Sequence, residues 1–333
     1  MNKNTDALAA IAGGMQNVAT MFAPNQILKT SASDLLKDLD LTDDELLYLL
    51  DLAAEVKASP AAYRHALDGK NLAMLFEKPS LRTKLTFELA IKQMGGGSVF
   101  VEGPIGVREP LKDIARNLDR WVNGIVARVF LQSTVEGLAG WSRVPVINAL
   151  SDLYHPCQAL ADMQTIREHF GVPTLHGLKL AFIGDGNNVA QSLMLTALRL
   201  GMDFALGCPE GYLPDPEIVT QAEGLAAVTG ASLLITHETA AAVAGAHTVY
   251  TDVWASMGQE QEANQRKRDF HAYQVNDALF AQARPDAVFM HCLPAKRDEE
   301  VTDSIMEHPR SVIFHQAENR LHAQKALLLM LLT

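Results

Sequence analysis

From residue 71 onward, short apolar runs alternate with segments whose apolar residues recur every three or four positions, and few residues are left between them. That alternation leaves little choice of fold. Strands that are apolar on both sides must be covered on both faces, and a helix between successive strands supplies the cover and makes the strands run parallel. The first series predicts strands at 71–76, 98–101, 125–128 and 144–148, with helices at 84–94, 109–122, 134–141 and 156–170. A second series predicts strands at 178–183, 204–206, 232–236, 248–251, 287–290 and 312–314. Ahead of both, 43–56 reads as an amphipathic helix opened by Thr42-Asp43-Asp44-Glu45. Gly171-Val172-Pro173 separates the two series. The expected architecture is α/β, with two doubly wound parallel-sheet domains joined by interdomain helices. An N-terminal extension covers 1–35, the first domain 36–170 and the second 171–316, and a last helix, 317–333, packs back on the first domain.

Charge and cysteine content narrow the partners. The chain has 28 basic and 39 acidic residues and a formal charge of -11, whereas nucleic acid and anionic membranes reward clustered Lys and Arg. Neither is an expected partner. Cys157, Cys208 and Cys292 have no regular spacing, which fits a reducing cytoplasm and no disulfide framework. The longest clean apolar run, 326–332, is too short to span a bilayer. The first 25 residues lack an apolar block behind a basic end and read as a frayed extension or weak helix.

In open parallel sheets ligands bind beyond the carboxyl ends of the strands, so the residues where strands stop carry the chemistry. After 71–76 comes Glu77-Lys78-Pro79-Ser80-Leu81-Arg82-Thr83, with Ser80 a natural N-cap. A helix N-terminus, two hydroxyls and the planar fork of Arg82 make an anion site. A capped helix whose Arg merely pairs with a surface acid is the plain alternative. Arg128 closes the next apolar strand. His155-Pro156-Cys157-Gln158 follows 144–148 and can present His155 and Gln158, one turn apart, to a small polar ligand. Gly184-Asp185-Gly186-Asn187-Asn188 invites a nucleotide-binding reading, but Val189 stands where the third glycine belongs and no acid closes the next strand. Asp252-Val253-Trp254-Ala255-Ser256-Met257-Gly258 reads as an N-cap and loop on its own. His291-Cys292-Leu293-Pro294 leaves open a zinc site, which the spacing disfavours, or a thiol nucleophile with a histidine base. Glu318-Asn319-Arg320 opens the last helix.

Taken in order, these six motifs resemble those of the aspartate/ornithine transcarbamylase family, over nearly the whole chain from about residue 36. The resemblance implies a carbamoyl-phosphate site made of Ser80, Leu81, Arg82, Thr83, Arg128, His155, Gln158, Cys292, Leu293 and Arg320. The Asp252 to Gly258 loop is similar to that of the ornithine branch, and it implies an ornithine site made of Asn188, Asp252, Ser256, Met257 and Cys292. The implied catalytic set is Arg82, Arg128, His155, Asp252 and Cys292, with Cys292 in substrate binding and not in covalent catalysis. The implied reaction is attack of a neutral δ-amine on the carbamoyl carbon, with neither metal nor organic cofactor. The implied assembly is a homotrimer or a multiple of it. A transcarbamylase for putrescine or an N-acylated ornithine, and a non-catalytic relative that binds carbamoyl phosphate, are the other readings. One departure stands out: many family members carry Gln-Leu-Gly before Arg108-Glu109, reaching across the trimer, and here Gly103-Pro104-Ile105-Gly106-Val107 has no glutamine.

Overall fold

A computed structural model describes residues 26–255 and 260–333; the reading of residues 1–25 falls outside them. The first helix is α1 (Asp43–Ala58), where Thr42 accepts from Glu45 N–H and the Glu45 carboxylate accepts from Thr42 N–H, the reciprocal cap expected from the sequence. The first series is β1 (Asn71–Phe76), α2 (Leu81–Gln93), β2 (Gly97–Glu102), α3 (Leu111–Leu118), β3 (Gly124–Arg128), α4 (Gln132–Ala139), β4 (Val146–Leu150) and α5 (Pro156–Phe170). The second begins with β5 (Lys179–Ile183), α6 (Asn188–Arg199), β6 (Asp203–Gly207), α7 (Pro216–Thr229) and β7 (Leu233–Thr236). It continues with α8 (Thr239–Val243), β8 (Thr248–Thr251), α9 (Ala263–Asp269), α10 (Asp277–Phe280), β9 (Val288–His291), α11 (Asp303–Met306) and α12 (Ile313–Leu332).

Every pairing between these strands is parallel. The first sheet has the order β2-β1-β3-β4 and the second β7-β6-β5-β8-β9. In each, the chain winds outward one way and then the other, so the order reverses between β1 and β3 and again between β5 and β8. Loops leaving adjacent strands at such a point diverge to opposite faces and open a crevice. The loops after β1 and β8 carry Ser80 and Asp252, Arg128 is the last residue of β3, and Asn188 opens the helix after β5.

Residues 312–314 do not form a strand. Ser311 makes an isolated bridge to Phe289, and Ile313 already begins α12, so the last helix starts ahead of the expected 317. Val312-Ile313-Phe314 has the composition of a strand, but an apolar run this short does not differ from the first turn of a buried helix.

Two helices join the sheets. Along α5, Cys157, Leu160 and Ala161 enter the core of the first sheet, while Ala159, Met163 and Ile166 enter that of the second. The α12 helix places Ile313 in a second-domain core and residues from Ala323 to Leu332 in the first-domain core. Burying apolar surface on both sides fixes these helices relative to both sheets, and the crevice between the sheets inherits that geometry. No described helix is long and apolar enough to cross a membrane.

Candidate active site

The two switch points face one another across a cavity of about 480 Å³. Its lining includes Ser80, Leu81, Arg82, Thr83, Arg128, His155, Gln158, Asn188, Asp252, Cys292, Leu293 and Arg320, residues spread from 80 to 320 in the chain. Ser256 and Met257 lie outside the described residues.

On the first-domain wall, Ser80 Oγ accepts from Thr83 N–H at 3.2 Å and caps α2, whose first residues line the cavity. Glu77 holds the neighbouring loops by accepting from Ile105 N–H at 3.0 Å and Phe130 N–H at 2.9 Å. Arg320 arrives from α12, donating to Thr83 Oγ1 at 3.2 Å and to Gln158 Oε1. Arg128 Nε and Arg320 Nε are buried without a hydrogen-bond partner. Buried donors of this kind mark a place for a ligand, because leaving them unmade is costly. Burial, reinforced by Arg320 and Arg82, pushes the Arg128 guanidinium down to about 10. Arg82 is lowered mainly by burial as well. Three cations this close repel each other, and an anion in their midst relieves that repulsion.

His155 is the N-cap of α5, its backbone N–H donating to Ser192 Oγ at 2.8 Å. Burial, then Arg320, Arg128 and Arg82, hold its imidazole well below the usual value, so the ring is neutral at neutral pH. Its Nδ1 is buried and unpartnered. Gln158 is oriented from behind, since its Nε2 donates to Asp162 Oδ1 at 2.8 Å while Oε1 accepts from Arg320.

On the facing wall the Asp252 carboxylate is already held by three donors. Asp252 accepts from Asn187 Nδ2 at 3.0 Å, from Val253 N–H at 2.8 Å and from the Cys292 thiol at 3.0 Å. Burial and then Asp252 raise the Cys292 thiol well above its ordinary value, so it is a donor and not a thiolate nucleophile. Ligand atoms of Asp252, His291 and Cys292 lie within 4.8 Å of one another, a spacing a metal could use. Both ring nitrogens of His291 are taken, Nδ1 by Leu293 N–H and Nε2 by Glu300, so the imidazole is not available as it stands. Asn188 lines the cavity and donates to Ser151 O at 2.6 Å. Gly186 is packed so closely that a Cβ there would sit 2.4 Å from Pro214 N, which explains the glycine in that turn without a nucleotide.

Sequence reasoning assigned no role to several supporting residues. Lys78 and Lys296 line the cavity, and Lys78 Nζ lies 4.6 Å from the Phe130 ring centre. Lys78 stands inside the 77–83 stretch and Lys296 two residues beyond 291–294, and that adjacency is the available signal. Asn187, which caps α6 and also holds Asp252, is another. Arg266 pairs with Asp185 at 2.5 Å and donates to Trp254 O at 3.0 Å, anchoring the loop that carries Asp252; a link over 81 residues leaves no local pattern.

The paired sheets and the crevice between them define a two-substrate site with one cationic and one acidic wall. Two family models match the sequence: the aspartate/ornithine carbamoyltransferase carbamoyl-P binding domain over residues 33–168 and the Asp/Orn binding domain over 176–331. The chain belongs to the aspartate/ornithine carbamoyltransferase family, whose members transfer carbamoyl groups. It is 49% identical over 300 residues to an ornithine carbamoyltransferase of Oceanobacillus iheyensis, covering 89% of this chain and 92% of that protein. One from Thermococcus kodakarensis is 48% identical, over 91% and 97%. The solved structure of the Pyrococcus furiosus ornithine carbamoyltransferase superposes with a TM-score of 0.88 at 46% identity, covering 92% of this chain and 99% of that one.

Proposed function

We propose that this protein is a cytoplasmic ornithine carbamoyltransferase that converts carbamoyl phosphate and L-ornithine to L-citrulline and phosphate, working as a homotrimer or a multiple of it. The observation that carries the reading is the meeting of Arg82, Arg128 and Arg320 with His155 and Gln158 on one side of a cavity and Asp252 with Cys292 on the other. Residues 36–170 form the carbamoyl-phosphate domain, 171–316 the ornithine domain, and the final stretch 317–333 returns to the first.

Carbamoyl phosphate has a dianionic leaving group and a resonance-protected carbonyl. Ser80, Leu81, Arg82 and Thr83 at the start of α2 hold the phosphate, and Arg128 and Arg320 neutralise charge that grows on the leaving and carbonyl oxygens. Neutral His155 polarises the carbonyl. Gln158 Oε1 and the Leu293 carbonyl accept from the carbamoyl amide. Asp252, with Asn188 and the Ser256-Met257 backbone, takes the amino-acid end of ornithine, and the Cys292 thiol steadies Asp252. The neutral δ-amine attacks the carbamoyl carbon, a C–N bond forms, and the C–O bond breaks with its electron pair going to phosphate. The proton shed by the nitrogen leaves with that phosphate. No metal or organic cofactor is needed for these steps. Holding two reactants in one closed crevice is worth up to ~7 to 11 kcal/mol at ideal geometry.

The trimer draws support from an apolar face: Leu81, Leu85 and Leu89 recur at four-residue spacing on α2, and Val99 and Val101 stand exposed on the edge strand β2. An uncovered edge of this kind needs a partner. A panel of amines offered with carbamoyl phosphate, read as carbamoylated product, tests the substrate. Ornithine is expected to dominate; putrescine or N-acetylornithine in first place would move the protein to another branch, and no product at all would make it a non-catalytic binder.

A further inference from the structure

Behind the cavity, the loop after β9 is held in an unfavourable backbone conformation by a buried pair. Leu293 has φ +58, and only one other non-glycine among the described residues has a positive φ. Its N–H donates to His291 Nδ1 at 2.9 Å. A ring nitrogen that accepts carries no proton, so the imidazole proton sits on Nε2, which lies 3.1 Å from Glu300 Oε1. The same oxygen accepts from Lys296 N–H at 2.6 Å and closes the loop into a ring. The Glu300 backbone is fixed in turn, its carbonyl accepting from Val275 N–H at 2.9 Å. Both side chains of the pair are fully buried, and Glu300 Oε2 has no partner. A buried ionisable pair is a poor device for stability, since a well-packed apolar pair serves at least as well. What it supplies is direction, because an apolar pair cannot choose a tautomer or hold an N–H.

We propose that Glu300 is a positioning residue that acts through His291 to hold the Leu293 backbone with its carbonyl facing the carbamoyl amide. This rests on the cavity assignment above. Replacing Glu300 by Gln keeps one oxygen able to accept from both His291 Nε2–H and Lys296 N–H. Replacing it by Ala strands both donors, and the imidazole proton is then free to move to Nδ1, where it opposes Leu293 N–H.

Calorimetry with carbamoyl phosphate, alongside thermal melting, decides the matter. Glu300→Ala is expected to weaken binding by about 10 to 100-fold, by analogy with the loss of a residue that orients a metal-ligating histidine. Glu300→Gln should recover most of the affinity. Should Glu300→Ala not fold, Glu300→Asp serves, because it keeps the charge but withdraws the oxygen by one methylene; about a tenfold loss is expected. Native-like binding by a folded Glu300→Ala or Glu300→Asp, or equal damage from Gln and Ala, overturns the inference alone. Absence of binding by the native protein overturns the cavity assignment and this inference with it.

Discussion

The two walls of the cavity are built on opposite plans. On the first-domain side, the buried Nε atoms of Arg128 and Arg320 have no partner, and the nearby His155 is held neutral by burial and then by the surrounding guanidiniums. On the second-domain side, Asp252 already accepts from Asn187, Val253 and Cys292. One wall is unsatisfied until an anion arrives, whereas on the other the Asp252 carboxylate already has three hydrogen bonds before any ligand binds. Affinity should therefore concentrate on the donor, carbamoyl phosphate, while the acceptor wall contributes discrimination. A carboxylate has room for about four hydrogen bonds, so Asp252 can still receive an ammonium group, but only one that fits what remains.

That contrast breaks first on specificity, where the largest effect is expected. An acceptor lacking the α-carboxylate, such as putrescine, or with an acylated α-nitrogen leaves a buried polar group unpaired, and sites of this kind reject by up to ~10⁴-fold. Lysine, longer by one methylene, should lose only about 10 to 200-fold. The measurement is kcat/KM for each amine at saturating carbamoyl phosphate. Equal turnover of putrescine and ornithine would end the assignment of the Asp252 loop.

Arg82→Ala comes next. Removing one charge from a pair that closes on a bound anion costs about 2 to 5 kcal/mol, which corresponds to a loss in carbamoyl-phosphate affinity of about 30 to 4,000-fold. Calorimetric titration reads it, with the melting temperature unchanged; near-normal affinity in the folded variant removes Arg82 from the site.

Asp252→Asn sharpens the contrast from the other side. It keeps one acceptor oxygen but exchanges a carboxylate for an amide, so ornithine kcat/KM should fall by about 10²-fold while carbamoyl-phosphate affinity stays within about twofold. A parallel loss in carbamoyl-phosphate binding would mean that the two walls are not separable.

The sequence reveals the walls unevenly, and for a physical reason. Helix α5 was legible to the residue, because Pro156 and Gly171 bracket it with conformations only those residues favour, an N1 position and a left-handed cap. Ser80 and Thr42 declared their helix starts through local side-chain bonds. Arg128 is legible because a charge at the end of an apolar strand has few structural uses, and Arg82 because it stands at a capped helix N-terminus, whereas Arg320, inside the last helix, is reached only through the family resemblance. What stayed hidden depends on contacts remote in the chain: Arg320 to Gln158 across 162 residues, and Arg266 to Asp185 across 81. The start of α12 was missed because strand and buried helix share one composition over three residues. Glu300, in a run of charges that reads as solvated surface, gives no sign that it is buried.

The most gradual expected effect is the dependence of rate on pH, and it separates a substrate-borne limb from a protein-borne one. The attacking δ-amine resembles a lysine side chain, with a pKa of about 10.4, and reacts only without its proton. Its reactive fraction therefore rises with pH by at most about tenfold per unit across neutral and mildly alkaline conditions. Protein groups nearby do not imitate this. His155 has its pKa held well below the ordinary imidazole value by burial and three guanidiniums, so it is already neutral at the start of that range. Cys292 is raised well above its ordinary value by burial and Asp252, so it remains a thiol. Activity at subsaturating ornithine should climb steadily from about pH 7 to about pH 9, and substituting His155 by Asn should lower the rate without changing that slope. A flat profile, with chemistry shown to limit turnover, would mean that the nucleophile is not an alkylamine; a slope that vanishes in the His155→Asn variant would assign the proton to the protein and undo the division of labour between the walls.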